Sequence, residues 1–191
     1  AKDPSGYELE AAAYRGQGQI NKALNALEKA VRAEGTTRRV NLLAHSMASA
    51  GKAPQALYML EDWLRDHPDD MTVRSTLGLL QQQTGKTDEA IASYQAVLKN
   101  GEANPVVLNN LAWLYLKKSD QRAEEYARKA YDIAPERAEI VDTYGWVLFK
   151  LGKQDQGLSM LQQALLLAPR NPEISLHVAQ ALHGSGRNAE A

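Results

Sequence analysis

The chain has 191 residues, 44% apolar and 24% charged, an ordinary composition for folded structure with a substantial core. A net charge of −1 supplies no basic field for nucleic acid or an anionic membrane, and no stretch approaches the roughly 18 uninterrupted apolar residues of a membrane helix. Without cysteine there is no disulfide and no thiolate metal site.

From the first residues, Ala1-Lys2-Asp3-Pro4 leads directly into structure, with nothing that reads as a signal peptide. Gly18, Gly51, Gly85, Gly152 and Gly186 then recur at 33 or 34 residues, or about twice that across one gap. Each follows one apolar-periodic segment and precedes another, as a helix-ending glycine does. With this glycine at position 15, the repeats run 4–36, 37–70, 71–104, 105–137 and 138–171, followed by a partial repeat, 172–191. The fourth repeat lacks the glycine and turns through Lys118-Ser119-Asp120.

Within each repeat the pattern predicts a helix, a turn and a second helix. Asp3-Pro4, Asn104-Pro105 and Asn171-Pro172 each set an N-cap before a proline at the first helical position. Thr36 and Asp70 cap two more starts, while the fifth repeat enters through Arg137 without a good cap. Position 8 is always small: Ala11, Ala44, Gly78, Ala112, Gly145 and Ala179. So is position 20 (19 in the shortened fourth repeat): Ala23, Ala56, Ala90, Ala123, Gly157 and Ala191. Small residues at both places let paired helices approach closely. The apolar run Ala164–Ala168 reads as a short buried helix face, and Asp69-Asp70 as solvated surface.

The phrases Leu111-Ala112-x-x-Tyr115…Ala123…Ala130…Pro135 and Tyr144-Gly145-x-x-Leu148…Gly152…Ala164…Pro169 resemble the tetratricopeptide repeat (TPR) signature. The resemblance covers almost the whole chain. It implies an all-α fold, a right-handed α-solenoid of antiparallel helix–turn–helix units forming one domain over 1–191. A narrower resemblance lies in the last three repeats. Leu108-Asn109-Asn110-Leu111-Ala112-Trp113, Asp142-Thr143-Tyr144-Gly145-Trp146, Asn171-Pro172-Glu173-Ile174 and Gly186-Arg187 are similar to bacterial envelope proteins. Among these is the TPR lipoprotein of the PEP-CTERM/exosortase system, which accompanies exopolysaccharide loci. That resemblance implies the periplasmic face of the outer membrane, through a lipid anchor outside this fragment, in preference to the cytoplasm.

On the first helix of each repeat, positions 4, 7, 8 and 11 form the stripe that packs into the hairpin. Positions 2, 5, 9, 12 and 13 form a second stripe, which the TPR resemblance identifies as the lining of a concave groove. In the first three repeats this stripe is mostly small and polar, so that half reads as spacer. It then changes to Asn109, Trp113, Leu116 and Lys117, and to Asp142, Trp146, Phe149 and Lys150. Leu79 precedes them at the same position as the two tryptophans. An exposed aromatic cluster rimmed by Asn109, Asp142, Lys117 and Lys150 has the form of a recognition hot spot. The competing reading is that large side chains simply fill a tightly wound groove. Under the first reading, Trp113→Ala with Trp146→Ala leaves melting nearly intact. Trp63, where repeats one, four and five carry alanine, is read as adjusting packing between repeats two and three.

No residue set has the form of a catalytic or metal constellation: His45, His67, His177 and His183 are scattered, and the glycines are spent on turns. The expectation is a non-catalytic scaffold, with no cofactor, that binds a protein or peptide segment in its groove within an envelope or exopolysaccharide-export assembly. Stacking of Trp113 and Trp146 on polysaccharide is the alternative. Because Ala191 is only position 20 of the sixth repeat, the chain reads as a fragment of a longer repeat protein whose bare end can pair end to end.

Overall fold

A computed structural model describes residues 3–101 and 103–187, apart from the side chain of Asn100. Ala1, Lys2 and Ala191, which enter the sequence reading, lie outside the described residues. Among those described are eleven α-helices and no strand, an all-α helical-repeat fold. Two compact bodies divide the chain. The N-terminal body holds α1 (Pro4–Gly16), α2 (Ile20–Ala33), α3 (Thr37–Ser49), α4 (Ala53–Asp66), α5 (Met71–Gln83) and α6 (Thr87–Asn100). The C-terminal body holds α7 (Pro105–Lys117), α8 (Arg122–Ile133), α9 (Ala138–Lys150), α10 (Gln154–Leu167) and α11 (Pro172–Gly184).

Local chemistry starts and stops these helices. Side-chain oxygens of Asp3, Thr36, Asp70, Asn104 and Asn171 accept from backbone N–H groups in the first turns of α1, α3, α5, α7 and α11. Each such cap contributes about 1 kcal/mol. Arg137, before α9, makes no side-chain cap. At the far ends, Gly18, Gly51, Gly85, Gly152 and Gly186 all sit at φ between 71° and 88°. This left-handed residue lets the N–H that follows it reach back to position 11, as Gln19 does to Tyr14 O at 2.9 Å and Lys86 to Gln81 O at 2.8 Å. In the fourth repeat Ser119 takes the glycine's place at φ 54°, and Asp120 N–H still reaches Tyr115 O at 2.9 Å. The turn survives without its glycine.

Packing follows from the small positions. Ala11, Ala23, Ala44, Ala56, Ala90, Ala112 and Ala123 are all buried. In the fifth repeat the approach is closest: a Cβ on Gly157 would lie 2.6 Å from the backbone N of Phe149, and one on Gly145 would lie 2.8 Å from the backbone N of Leu161. Here α9 and α10 meet backbone to backbone. In the N-terminal body Val40, Leu43, Leu60, Val73 and Leu80 anchor the core. The run Ala164–Ala168 departs from expectation: Ala164 is buried, but Leu166 is 84% exposed, because five consecutive residues encircle a helix and cannot share one face.

Asp70 also departs from the solvated role. Its Oδ2 accepts from the Thr37 hydroxyl at 2.7 Å and from the Trp63 indole N–H at 3.0 Å, and its Oδ1 accepts from Val73 N–H. Trp63 thereby ties α4 to the start of α5. Its ring also stacks on His67 at 3.8 Å and lies over Gly35, where a Cβ would come within 2.8 Å of it.

Gly157→Ala is expected to lower stability to urea by about 1–3 kcal/mol through overpacking. An ordinary exposed helix would instead gain about 1 kcal/mol from the same change. Burial alone would raise the Asp70 carboxyl, but the Val73, Thr37 and Trp63 donors outweigh it and hold it below its ordinary 3.8. The stability this contributes is fully present above that ordinary value and is lost as pH falls through the lower folded-state value. Acid unfolding curves of Asp70→Asn should therefore start from lower stability at pH 7 and show a shallower loss as pH falls below about 4.

Candidate functional site

The sequence-predicted residues fall on successive turns of two helices: Asn109, Trp113, Leu116 and Lys117 on α7, and Asp142, Trp146, Phe149 and Lys150 on α9. Leu79, half-buried on α5, belongs to the N-terminal body. In the C-terminal body Trp113, Asp142 and Trp146 meet around one residue that the sequence reading set aside. The His177 ring, on α11, stacks on Trp146 at 4.5 Å with 15° between planes and lies tilted 5.9 Å from Trp113. Phe149 continues the stack 5.9 Å beyond Trp146, and Lys150 Nζ sits 5.5 Å from the Trp146 ring. Both lysines are exposed.

Asp142 is not a rim residue. It is 4% exposed, and its Oδ2 accepts from His177 Nδ1 at 2.7 Å. This bond fixes the orientation of the His177 ring. A carboxylate orienting a histidine is also used in catalysis. Here the ring is pressed against two indoles, and what this orients is an aromatic surface.

Trp146 and Phe149 are half-buried rather than exposed. They pack on a core of Leu158, Leu161, Val178, Ala181 and Leu182. Gly184 makes room for the phenyl ring, since a Cβ there would lie 2.9 Å from Phe149 Cζ. The rings therefore fill space against the core while keeping part of their surface open. A further feature was invisible from residue types. Asn41 Oδ1 in the N-terminal body, and Asn109 Oδ1 and Asp142 Oδ1 here, all at position 5 of their repeats, are buried with no hydrogen-bond partner among the described residues. A buried acceptor without a donor costs about 1–3 kcal/mol. Two such atoms flank the aromatic shelf.

His177 could have been found by asking what sits at position 6 of the last repeat. The preceding occupants, Leu9, Leu42, Thr76, Asn110 and Thr143, gave no sign that this position packs against Trp146 of the repeat before.

Comparison with known proteins now bears on identity. Models of the tetratricopeptide repeat match residues 41–105, 75–138 and 145–191, and a second such model matches 5–37. TPR repeat-containing protein PA4667 of Pseudomonas aeruginosa is 24% identical over 168 residues, or 85% of this chain. The chain spans 28% of that relative's length. A tetratricopeptide repeat protein from Parabacteroides merdae superposes with a TM-score of 0.81 at 18% identity, over 98% of this chain and 75% of its own. YrrB, a TPR protein with an unusual peptide-binding site, superposes with a TM-score of 0.67 at 17% identity, over 85% of this chain and 84% of its own. The chain belongs to the tetratricopeptide repeat family, whose repeats generally mediate protein–protein interaction and are generally non-catalytic.

Truncation at Trp146 should be felt by the fold. Trp146→Ala is expected to lower stability by about 1–3 kcal/mol, less than the cost of removing a fully buried ring. A thermal melt unchanged from wild type would show that the ring carries no packing.

Proposed function

We propose that this TPR chain is a non-catalytic scaffold that holds an extended segment of a protein partner across α7, α9 and α11. Trp113, Trp146 and Phe149 supply the apolar shelf, and Lys117 and Lys150 supply a cationic rim. Asn109 Oδ1 and Asp142 Oδ1 are closed off in the free chain, and a shift of their side chains lets them accept backbone N–H groups of the bound segment. The observation that carries this reading is the stack of half-buried Trp113, Trp146 and Phe149 around His177, with two of the three unpartnered position-5 oxygens among the described residues beside it. An extended peptide presents N–H donors at regular spacing, and desolvated acceptors beside aromatic rings suit it. The peptide-binding site of YrrB, a protein of the same fold, is in keeping with this reading.

The phrases in repeats four to six that resemble the PEP-CTERM/exosortase lipoprotein support a setting in the bacterial envelope, at the periplasmic face of the outer membrane, beside exopolysaccharide export. In that setting polysaccharide is the second candidate ligand. Trp146 already stacks on both His177 and Phe149, which leaves less free ring for a sugar and favours the peptide.

Asn109→Leu separates binding from folding, because the oxygen it removes has no partner in the free chain. The variant should melt at or above the wild-type temperature while binding envelope-derived peptides about 5- to 100-fold more weakly, as followed by tryptophan fluorescence. Saturable quenching by exopolysaccharide fragments, with none by peptides, would transfer the site to sugar.

A further inference from the structure

The aromatic stack of the C-terminal body has an unfilled counterpart in the N-terminal body. A groove of about 680 Å³ opens over α1, α2 and α3. Its lining follows the repeat register. Ala12 stands where α9 has Trp146, Arg15 where it has Phe149, and Leu42 where α11 has His177. Leu24 and Leu27, on the groove floor, correspond to Leu158 and Leu161, on which Trp146 and Phe149 pack. The two places share one scaffold of leucines and small residues. They differ in that one is plugged by the chain's own rings and the other ends at a methyl group.

The sequence reading took this half as spacer because its groove stripe is small and polar. That same smallness leaves the leucines beneath uncovered. Ile20, at the groove's edge, is 43% exposed. Such apolar surface over a leucine floor is space that a bound ring would cover.

Charge narrows what can enter. Glu8 is the carboxylate of the lining, and it is engaged. It accepts from Arg39 Nε at 2.7 Å and pairs with Arg38, and both contacts hold it below the usual glutamate range. Arg15 lies exposed at the edge, with no ion pair to it among the described residues. Arg15 is therefore the charge at the groove's edge that is left to meet a ligand.

We infer that the α1–α3 groove takes an aromatic side chain, indole or phenyl, from an acidic segment of a partner protein, whose carboxylate meets Arg15. The bound ring occupies the space that Trp146 and Phe149 fill in the C-terminal body. Recognition here is independent of the α7–α11 shelf, so the chain carries two binding places of different character. One is built around internal aromatics and bare acceptors. The other is an open apolar slot with a cationic lip.

The test uses the full chain, labelled with ¹⁵N, and two probes: acetyl-Glu-Trp-amide and acetyl-Lys-Trp-amide. Amide shifts should saturate at Ala12, Leu24, Leu42 and His45, with the glutamyl probe binding about threefold or more tighter. Ala12→Trp, which installs the residue found at this register in α7 and α9, should abolish those shifts. Arg15→Phe, a change at an exposed edge that folds even if Ala12→Trp does not, should weaken glutamyl-probe binding at least about tenfold. Failure of both variants to alter saturable shifts at the groove would overturn the inference. So would shifts confined to α7, α9 and α11, an outcome that leaves the proposed function standing. Groove shifts that grow with protein concentration in the absence of probe would assign the slot to a second copy of the chain, which also overturns it.

Discussion

Two residues without side chains, Gly145 on α9 and Gly157 on α10, set the geometry on which the C-terminal body depends. Their backbones touch so closely that a methyl group on Gly157 would sit 2.6 Å from the Phe149 nitrogen. With the backbones in contact, Trp146, next to Gly145, and Phe149, one turn on, pack onto the cluster that holds Leu158 and Leu161. Their outer surfaces are then offered to α11, where His177 completes the stack. The first, second and fourth hairpins place alanine at both positions, and the third pairs Gly78 with Ala90. Position 8 against position 20 is the rule of this fold, and the fifth repeat is its tightest instance.

Most of this architecture was legible in residue types because it rests on local chemistry. A carboxylate, amide or hydroxyl before a proline or an apolar run caps a helix wherever it occurs, and a glycine past the last apolar residue ends one. Ser119 shows the limit of that rule. The turn needs a positive φ and a returning N–H, and serine supplies both without announcing them in the sequence. Asp142 and His177 show a second limit. They lie 35 residues apart, and their bond depends on how α11 is rotated against α9, which no spacing rule within one helix encodes.

The groove over α1 and α3 marks a third limit. A stripe of small polar residues reads as inert surface, since sequence patterns report what a residue brings and not the space it leaves. Only with Leu24, Leu27 and Leu42 placed beneath does Ala12 become an opening. The same repeat scaffold thus yields two outcomes, according to the side chain at position 9. Tryptophan there builds an internal stack and a half-buried shelf, and alanine there leaves a slot. Variation at one register position, on a frame held constant by caps, glycines and small contacts, is how this chain acquires distinct surfaces within a uniform fold.

The link between backbone contact and aromatic shelf is tested most directly by ¹⁹F NMR of the chain labelled with 5-fluorotryptophan, which reports Trp63, Trp113 and Trp146 separately. In Gly157→Ala the account predicts that the Trp146 resonance shifts, with a smaller change at Trp113 through His177, while Trp63 keeps its wild-type position. A folded Gly157→Ala protein whose Trp146 resonance coincides with wild type would contradict the claim that the α9–α10 contact positions the site.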